Sequence, residues 1–143
     1  METIRVHYCA EGMEPLEALS GKGDWIDLRA AEDVTLQAGE QRLIPLGVAM
    51  ALPEGYEALM APRSSTFRNY GILQTNSPGV IDCSYRGTGD QWKMPVYATR
   101  DSFIPKNARI CQFRIQRNQP SLHFLTCDRL DACDRGGFGS TGL

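Results

Sequence analysis

Short apolar segments separated by turn-forming residues recur along the whole chain, and their spacing limits the folds open to it. The segments are TIRVHY, DVTLQA, RLIPLGVAMAL, YEALMAP, GVIDCSYRG, KMPVYATR, ARICQFRI and LHFLT, with GKGD, PEG, NSPG, GTGD and PKN among the connections. Gly, Pro, Asn and Asp supply the backbone angles that tight turns require. Many short strands at roughly 8–12-residue intervals predict an all-β, jelly-roll-like sandwich.

Helical periodicity is confined to one short stretch, where Glu14 to Ser20 predicts a single helical turn. With 143 residues, 42% of them hydrophobic, the chain can bury one core and is too short for two. We predict a β domain over residues 1–133 and a glycine-rich lid segment of the same domain over residues 134–143.

Charge, hydropathy and cysteine content exclude several classes of protein. The chain has 15 basic and 17 acidic residues without a basic block, so we expect no nucleic-acid partner. The N-terminal stretch has no apolar signal core, and the longest apolar run, LGVAMAL, is too short to span a bilayer. We therefore expect a cytoplasmic protein without a membrane partner. Five cysteines without C-x-x-C spacing are expected to be reduced thiols.

Two polar stretches interrupt the apolar pattern. In GVIDCSYRG, Asp82 follows an apolar pair, where an aspartate is either a turn former or a functional carboxylate. In APRSSTF, Arg63, Ser64 and Ser65 follow a proline. Hydroxyls, amides and a guanidinium in a tight turn can cradle a phosphate, although an ordinary serine-rich turn has the same composition.

Two further stretches carry candidate residues. In ARICQFRI, alternation directs Gln112 away from the face that Cys111 and Phe113 share. The terminal DRGGFGSTGL places one phenylalanine among glycines. Such a segment is either a flexible end or a lid that closes over a ligand.

Five stretches, taken in order, resemble the motifs of the trimeric deoxyuridine triphosphatases: WIDLRA, APRSSTF, GVIDCSYRG, RICQF and RGGFGSTG. The resemblance runs from about Gly23 to the C-terminus, and the third and fifth motifs are long enough to be specific. It implies hydrolysis of dUTP to dUMP and pyrophosphate by water that attacks the α-phosphorus, with Mg²⁺ on the triphosphate. This reaction supplies dUMP for thymidylate synthesis and keeps uracil out of DNA.

The resemblance also implies roles for the candidate residues on the phosphate side. Asp82 matches the carboxylate that deprotonates the water, in a pocket closed from solvent. Asp27 matches the aspartate that acts on the magnesium shell through water. Arg63, with Ser64 and the adjacent Ser65, matches the turn that contacts the phosphate oxygens, and Gln112 adds a neutral donor.

The resemblance also implies which residues contact the base and the sugar. Asn76 and the backbone of Gly79, Val80 and Ile81 match the hairpin that reads uracil, and Tyr85 matches the ring beneath the deoxyribose.

In the fifth motif, Arg135 matches the arginine that clamps the phosphates, and Phe138 the ring that caps uracil. The resemblance implies that Ser140, Thr141 and the main-chain amides of this segment, that of Gly139 included, donate to the γ-phosphate. Arg135 stands three residues before Phe138, where the family pattern has five. The resemblance implies a homotrimer in which three subunits share each site.

Two other functions remain open from the sequence. A dCTP deaminase shares the fold and the triphosphate cradle, but its chemistry requires a carboxylate beside C4 of the base, and the hairpin region contains no glutamate. A nucleotide-sensing regulatory module would bind dUTP and use the tail as a switch.

Overall fold

The architecture is built almost entirely of short antiparallel strands. The computed structural model describes residues 1–17, 21, 23–139 and 142, and these form eleven strands and one helix. The strands are β1 (Arg5–Tyr8), β2 (Ile26–Arg29), β3 (Val34–Leu36), β4 (Gln41–Pro45), β5 (Val48–Ala51), β6 (Tyr56–Pro62), β7 (Ile72–Gln74), β8 (Gly79–Ile81), β9 (Lys93–Ala98), β10 (Ser102–Ile104) and β11 (Arg109–Arg117). The helix, α1, spans Thr66–Tyr70.

The strands pair into four sheets, two of them larger than the others. One has the order β2-β11-β6-β8 and the other the order β4-β9-β7, while β1 pairs with β5 and β3 with β10. Every pairing is antiparallel. The longest strand, β11, lies between β2 and β6, so it connects segments distant in sequence.

One buried cluster joins the four sheets. It includes Leu28, Val34, Ile44 and Val48, one from each sheet. Trp92 packs edge-on against Phe113 of β11, with 5.1 Å between ring centroids and an interplanar angle of 81°, a favoured geometry for aromatic pairs. A single core covered by antiparallel sheets confirms the predicted all-β class.

The predicted helical turn near Glu14 is wrong over the described residues 14–17, which have no helix. Two of their N–H groups bond to side chains elsewhere in the chain instead. The Glu14 N–H donates to Asn107 Oδ1 at 3.0 Å, and the Leu16 N–H donates to the Tyr8 hydroxyl at 2.9 Å. Residues 18–20 lie outside the described residues.

The predicted strand LHFLT is also wrong, because residues 122–126 form no strand. Phe124 and Leu125 are 88% and 81% exposed. A strand needs a partner for its main-chain hydrogen bonds, and within the described part of the chain no strand pairs with this segment.

Helix α1 was not predicted, since five residues are too few to show a helical period. It ends at Gly71, whose φ of 63° is the left-handed conformation that glycine adopts freely at helix ends. Among the described residues, no helix has the length and hydropathy needed to cross a membrane.

Candidate active site

The first group of polar side chains lies where β2, β11 and β6 meet. Asp27 of β2 is the cross-strand neighbour of Gln112 on β11, and Gln112 is the neighbour of Ala61 on β6. Arg63 and Ser64 follow directly after β6. We call Asp27, Arg63, Ser64, Arg109 and Gln112 the Asp27 group.

Two guanidinium groups flank the Asp27 carboxylate. Arg63 Nε lies 2.9 Å from Asp27 Oδ1, and Arg109 NH1 lies 3.3 Å from Oδ2. All three side chains are partly exposed. One carboxylate between two arginines leaves a net positive surface, which suits a polyanionic ligand. Sequence analysis missed Arg109, although it begins the RICQF motif, because the pairing of β11 with β2 cannot be read from the sequence.

A buried threonine supports the turn after β6. Thr66 is 1% exposed; its Oγ1 accepts the Arg63 N–H at 3.0 Å and donates to the Ile110 carbonyl at 2.8 Å. Ser65 occupies the helix N-cap, but its hydroxyl makes no capping bond. The Ser64 side chain is exposed. Thr66 therefore fixes the turn from the core side, and the Ser64 side chain is open to solvent.

The Gln112 amide is already engaged within the chain, since its Nε2 donates to the Pro62 carbonyl at 3.2 Å. This bond fixes the amide beside the end of β6. Behind it, burial and the nearby Asp27 charge raise the pKa of the Cys111 thiol. Cys111 stays neutral and is not a nucleophile here.

The second group lies around the end of β8. Asn76, Gly79–Ile81, Asp82 and Tyr85, the Asp82 group, come from β8 and its flanking turns. A pocket of about 430 Å³ opens there. It is lined by Val80, Ile81, Asp82, Ser84, Tyr85, Gln91, Trp92 and Lys93. Gln91, Trp92 and Lys93 were not predicted from the sequence, because they reach the pocket from the segment that leads into β9 and from its first residue.

Short local bonds orient Asp82 and Tyr85. The Ser84 N–H donates to Asp82 Oδ1 at 2.8 Å, and the Tyr85 N–H donates to the Asp82 carbonyl at 3.0 Å. The Tyr85 hydroxyl donates to the Gln91 carbonyl at 2.9 Å. Both side chains thus have defined positions on one wall of the pocket.

Asp82 is exposed in the single chain, so the expected closed pocket is not formed by this chain alone. Hydrogen bonds from the Ser84 hydroxyl and main-chain N–H lower the pKa of Asp82. Asp82 is therefore ionised at neutral pH and able to accept a proton.

Asp82 lies far from Arg63 within one chain. Met60 of β6 pairs with Gly79, and Ala58 pairs with Ile81, so β8 runs away from the Arg63 end of β6. The next position, Asp82, stands about six residues from Arg63 along the sheet, or about 20 Å at the rise of a strand. One chain does not bring Asp82 against the Asp27 group.

The structure describes the predicted lid only in part. Phe138 is fully exposed with a φ of 51°, and Gly139 has a φ of 85°. Over the described residues, neither Arg135 nor Phe138 bonds to the Asp27 or Asp82 group. Ser140 and Thr141 lie outside the described residues.

The donors available for a metal are few. In the part of the chain that the structure describes, no cluster of three or more His, Cys, Asp or Glu side chains could hold a metal ion. Mg²⁺ keeps most of its waters and commonly binds one or two carboxylates together with substrate phosphates. The half-exposed Asp27 carboxylate, its two oxygens already facing arginines, fits such an ion through water rather than directly.

Comparisons with known proteins agree with this fold and these motifs. Residues 25–142 match the family model described as dUTPase. A SPbeta prophage-derived deoxyuridine 5'-triphosphate nucleotidohydrolase of Bacillus subtilis is 55% identical over 97% of both chains. A deoxyuridine 5'-triphosphate nucleotidohydrolase of Finegoldia magna is 40% identical, over 97% of this chain and 99% of the relative.

Solved structures share the architecture at lower identity. A mutant dUTPase of Staphylococcus bacteriophage 80alpha has a TM-score of 0.80 and 19% identity, with both chains covered in full. Together, the fold and the two polar groups define a β-sandwich protein of the jelly-roll-like class with a site for a phosphorylated ligand. The chain belongs to the dUTPase family.

Proposed function

We propose that this protein hydrolyses dUTP to dUMP and pyrophosphate. One observation carries the proposal: 55% identity, over 97% of both chains, to a relative named as a deoxyuridine 5'-triphosphate nucleotidohydrolase. The 80alpha phage dUTPase, which shares the fold, was solved with dUpNHpp. The reaction supplies dUMP for thymidylate synthesis and keeps uracil out of DNA, a role for a cytoplasmic enzyme.

Asp82 is the general base. It accepts a proton from the water whose oxygen attacks the α-phosphorus, while the bond from that phosphorus to the bridging oxygen breaks and pyrophosphate leaves. The bonds from Ser84 that lower the pKa of Asp82 keep it ionised at neutral pH and hold it in place. Closing the site around Asp82 would strengthen its interaction with the water.

The Asp27 group binds the phosphates. Arg63 and Ser64 donate to oxygens on which negative charge grows in the transition state, with Ser65 beside them and Gln112 as a neutral donor. Asp27 would hold Mg²⁺ through water, and the ion would supply charge neutralisation on the triphosphate. The phage phi11 dUTPase, similar in fold, coordinates a structural Mg(II) ion.

The hairpin before Asp82 selects the base and the sugar. Asn76 and the backbone of Gly79–Ile81 present donors and acceptors that pair with uracil, and cytosine would leave buried polar groups unpaired. The Tyr85 ring packs beneath the deoxyribose and leaves no room for a 2′-hydroxyl.

The active form is a homotrimer in which three subunits share each site. The separation of about 20 Å between Asp82 and Arg63 along the sheet supports this, since a triphosphate bound at Arg63 does not reach Asp82 of the same chain. A neighbouring chain brings its Asp82 group to the Asp27 group. A third supplies the tail: Arg135 at the phosphates, Phe138 on the base, and Gly139, Ser140 and Thr141 at the γ-phosphate.

Pyrophosphate release from dUTP in the presence of Mg²⁺ tests the proposed activity. Release that depends on Asp82 supports it. Ammonia release from dCTP would identify a deaminase instead, and tight dUTP binding without turnover would identify a nucleotide-sensing module.

A further inference from the structure

Gln74, the last residue of β7, is a polar side chain in the core. It is 8% exposed, and its Nε2 donates to two main-chain carbonyls, that of Met60 at 2.9 Å and that of Asn76 at 2.7 Å. The amide therefore joins β6 to the turn that carries Asn76. A buried donor shared between two carbonyls restricts the movement of both.

Buried polar side chains are rare in this molecule. Within the described residues only Thr66 and Gln74 belong to this set. Thr66 bonds the main chain under Arg63 in the Asp27 group, and Gln74 bonds the main chain under Asn76 in the Asp82 group. Each of the two groups is thus supported by one buried polar side chain. This distribution indicates that the two side chains position site residues rather than contribute only to the stability of the fold.

The space beside Gly79 brings two amides together. A Cβ at Gly79 would stand 3.5 Å from both Gln74 Nε2 and Asn76 Nδ2. Gln74 Oε1 is buried and has no hydrogen-bond partner among the described residues. An unmet buried acceptor is costly. An apolar side chain of the same size would avoid that cost, so Gln74 is poorly explained as packing alone.

We infer that Gln74 is a positioning residue for recognition of the pyrimidine base: it holds the Asn76 turn in the conformation that accepts uracil and rejects cytosine. The inference rests on the proposed function of the hairpin. Gln74 acts through Asn76 and does not itself contact the reacting phosphates.

The test is the substitution Gln74→Met, which keeps the length of the side chain and removes both donated bonds. Titration calorimetry with dUMP and dCMP, alongside hydrolysis kinetics with dUTP, measures its effect. We expect dUMP binding to weaken about tenfold, as for the loss of one or two hydrogen bonds, with dCMP binding unchanged. KM for dUTP rises while kcat stays within about twofold, because base binding contributes equally before and during the reaction.

Two control variants separate positioning from loss of stability. Thr66→Val removes a comparable buried bond beneath the other group, so it should weaken catalysis without changing the ratio of dUMP to dCMP affinity. Thr75→Ala alters an exposed side chain of the same turn and should match the wild type. In an Asn76→Ala background, Gln74→Met should weaken dUMP binding much less than it does in the wild type, because the effects of two coupled residues do not add.

The outcomes are distinct. The inference would be overturned if Gln74→Met kept the wild-type ratio of dUMP to dCMP affinity. It would also be overturned if Thr66→Val changed that ratio equally. In both cases the proposed activity would stand. A wild-type protein that does not hydrolyse dUTP would overturn the proposed function itself. Should Gln74→Met not fold, Gln74→Leu carries the same expectation, and failure of both to fold would assign Gln74 a purely structural role.

Discussion

Asp82 has a fixed orientation although its side chain lies in the open. Its carboxylate is held by the Ser84 N–H at 2.8 Å, and its carbonyl by the Tyr85 N–H at 3.0 Å. The loop after β8 therefore presents the carboxylate in one orientation, and in the proposed mechanism the enclosure that a general base needs comes from other chain segments.

Replacing Asp82 with Asn should abolish most turnover. The amide still accepts the Ser84 N–H but cannot take a proton from water. We expect kcat to fall by about 10²–10⁴-fold, the usual contribution of a general base, while dUMP affinity stays within a few-fold. Hydrolysis and calorimetry on the same preparation check this, and a rate near that of the wild type would remove Asp82 from the mechanism.

The pH dependence of catalysis should reflect the hydrogen bonds to Asp82. Because they lower its pKa, the base stays ionised, and kcat/KM is maintained, down to a pH below the ordinary aspartate range; activity is lost as the pH falls through that lowered pKa. Ser84→Ala removes the hydroxyl donor, so the acidic limb should move to higher pH. Thr88→Ala, on the same loop, serves as the control. An acidic limb that does not move would show that Asp82 is not the titrating group.

Tyr85 should act as the steric gate for the sugar. Its hydroxyl is tied to the Gln91 carbonyl at 2.9 Å, so the ring position is fixed. Tyr85→Ala should lower the ratio of kcat/KM for dUTP over UTP, whereas Tyr85→Phe keeps the ring and most of the discrimination. Competing-substrate kinetics measure both ratios, and an unchanged ratio in the Ala variant would place the gate elsewhere.

At the scale of elements, the strands were predictable where an apolar segment is bounded by turn-forming residues. The segment YEALMAP, which follows the turn PEG and forms β6, is an example. LHFLT has a similar local pattern but no partner in the described chain, and partner choice is a long-range property. Helix α1 is too short for periodicity, and only Gly71 marks its end.

The candidate site was predictable from motifs only in part. Their residue types show that Asp82 can accept a proton and that Arg63 can bind a phosphate, and the resemblance to the family supplies the roles proposed for them. Arg109 and Gln74 were missed, because their importance lies in a guanidinium reaching Asp27 and an amide reaching two carbonyls. Such contacts depend on strand register, which the sequence does not display.

The tail should be separable from the fold. Residues 118–139 are exposed and form no strand or helix, so they contribute little to the core. A chain ending at Asp134 should keep its thermal midpoint, its oligomeric mass and much of its dUMP affinity, but lose most dUTP hydrolysis because the lid no longer excludes water. An undiminished kcat would contradict the proposal that the tail acts as a lid. Loss of the oligomer would show that the tail has a structural role instead.

At the scale of the whole molecule, the arrangement of β6 decides how many chains a site needs. One end of this strand leads to Arg63, and the β8 partner of its other half leads to Asp82. The sheet between them keeps Asp82 and Arg63 about 20 Å apart. If one dUTP uses both groups, as we propose, catalysis requires assembly of several chains, and closed cyclic symmetry is the ordinary way to give each chain the same neighbours.

Subunit complementation tests this account most directly. Asp82→Asn and Ser64→Ala chains, each inactive as a pure oligomer, are co-expressed with different tags, and the mixed oligomers are purified and assayed for pyrophosphate release from dUTP. If Asp82 and Ser64 at each site come from different chains, one of the three sites in every mixed trimer contains both intact residues, and the activity of the purified mixed trimers returns to about a third of the wild type. Mixed oligomers, verified by native mass spectrometry, that remain as inactive as either parent would contradict a site shared between chains.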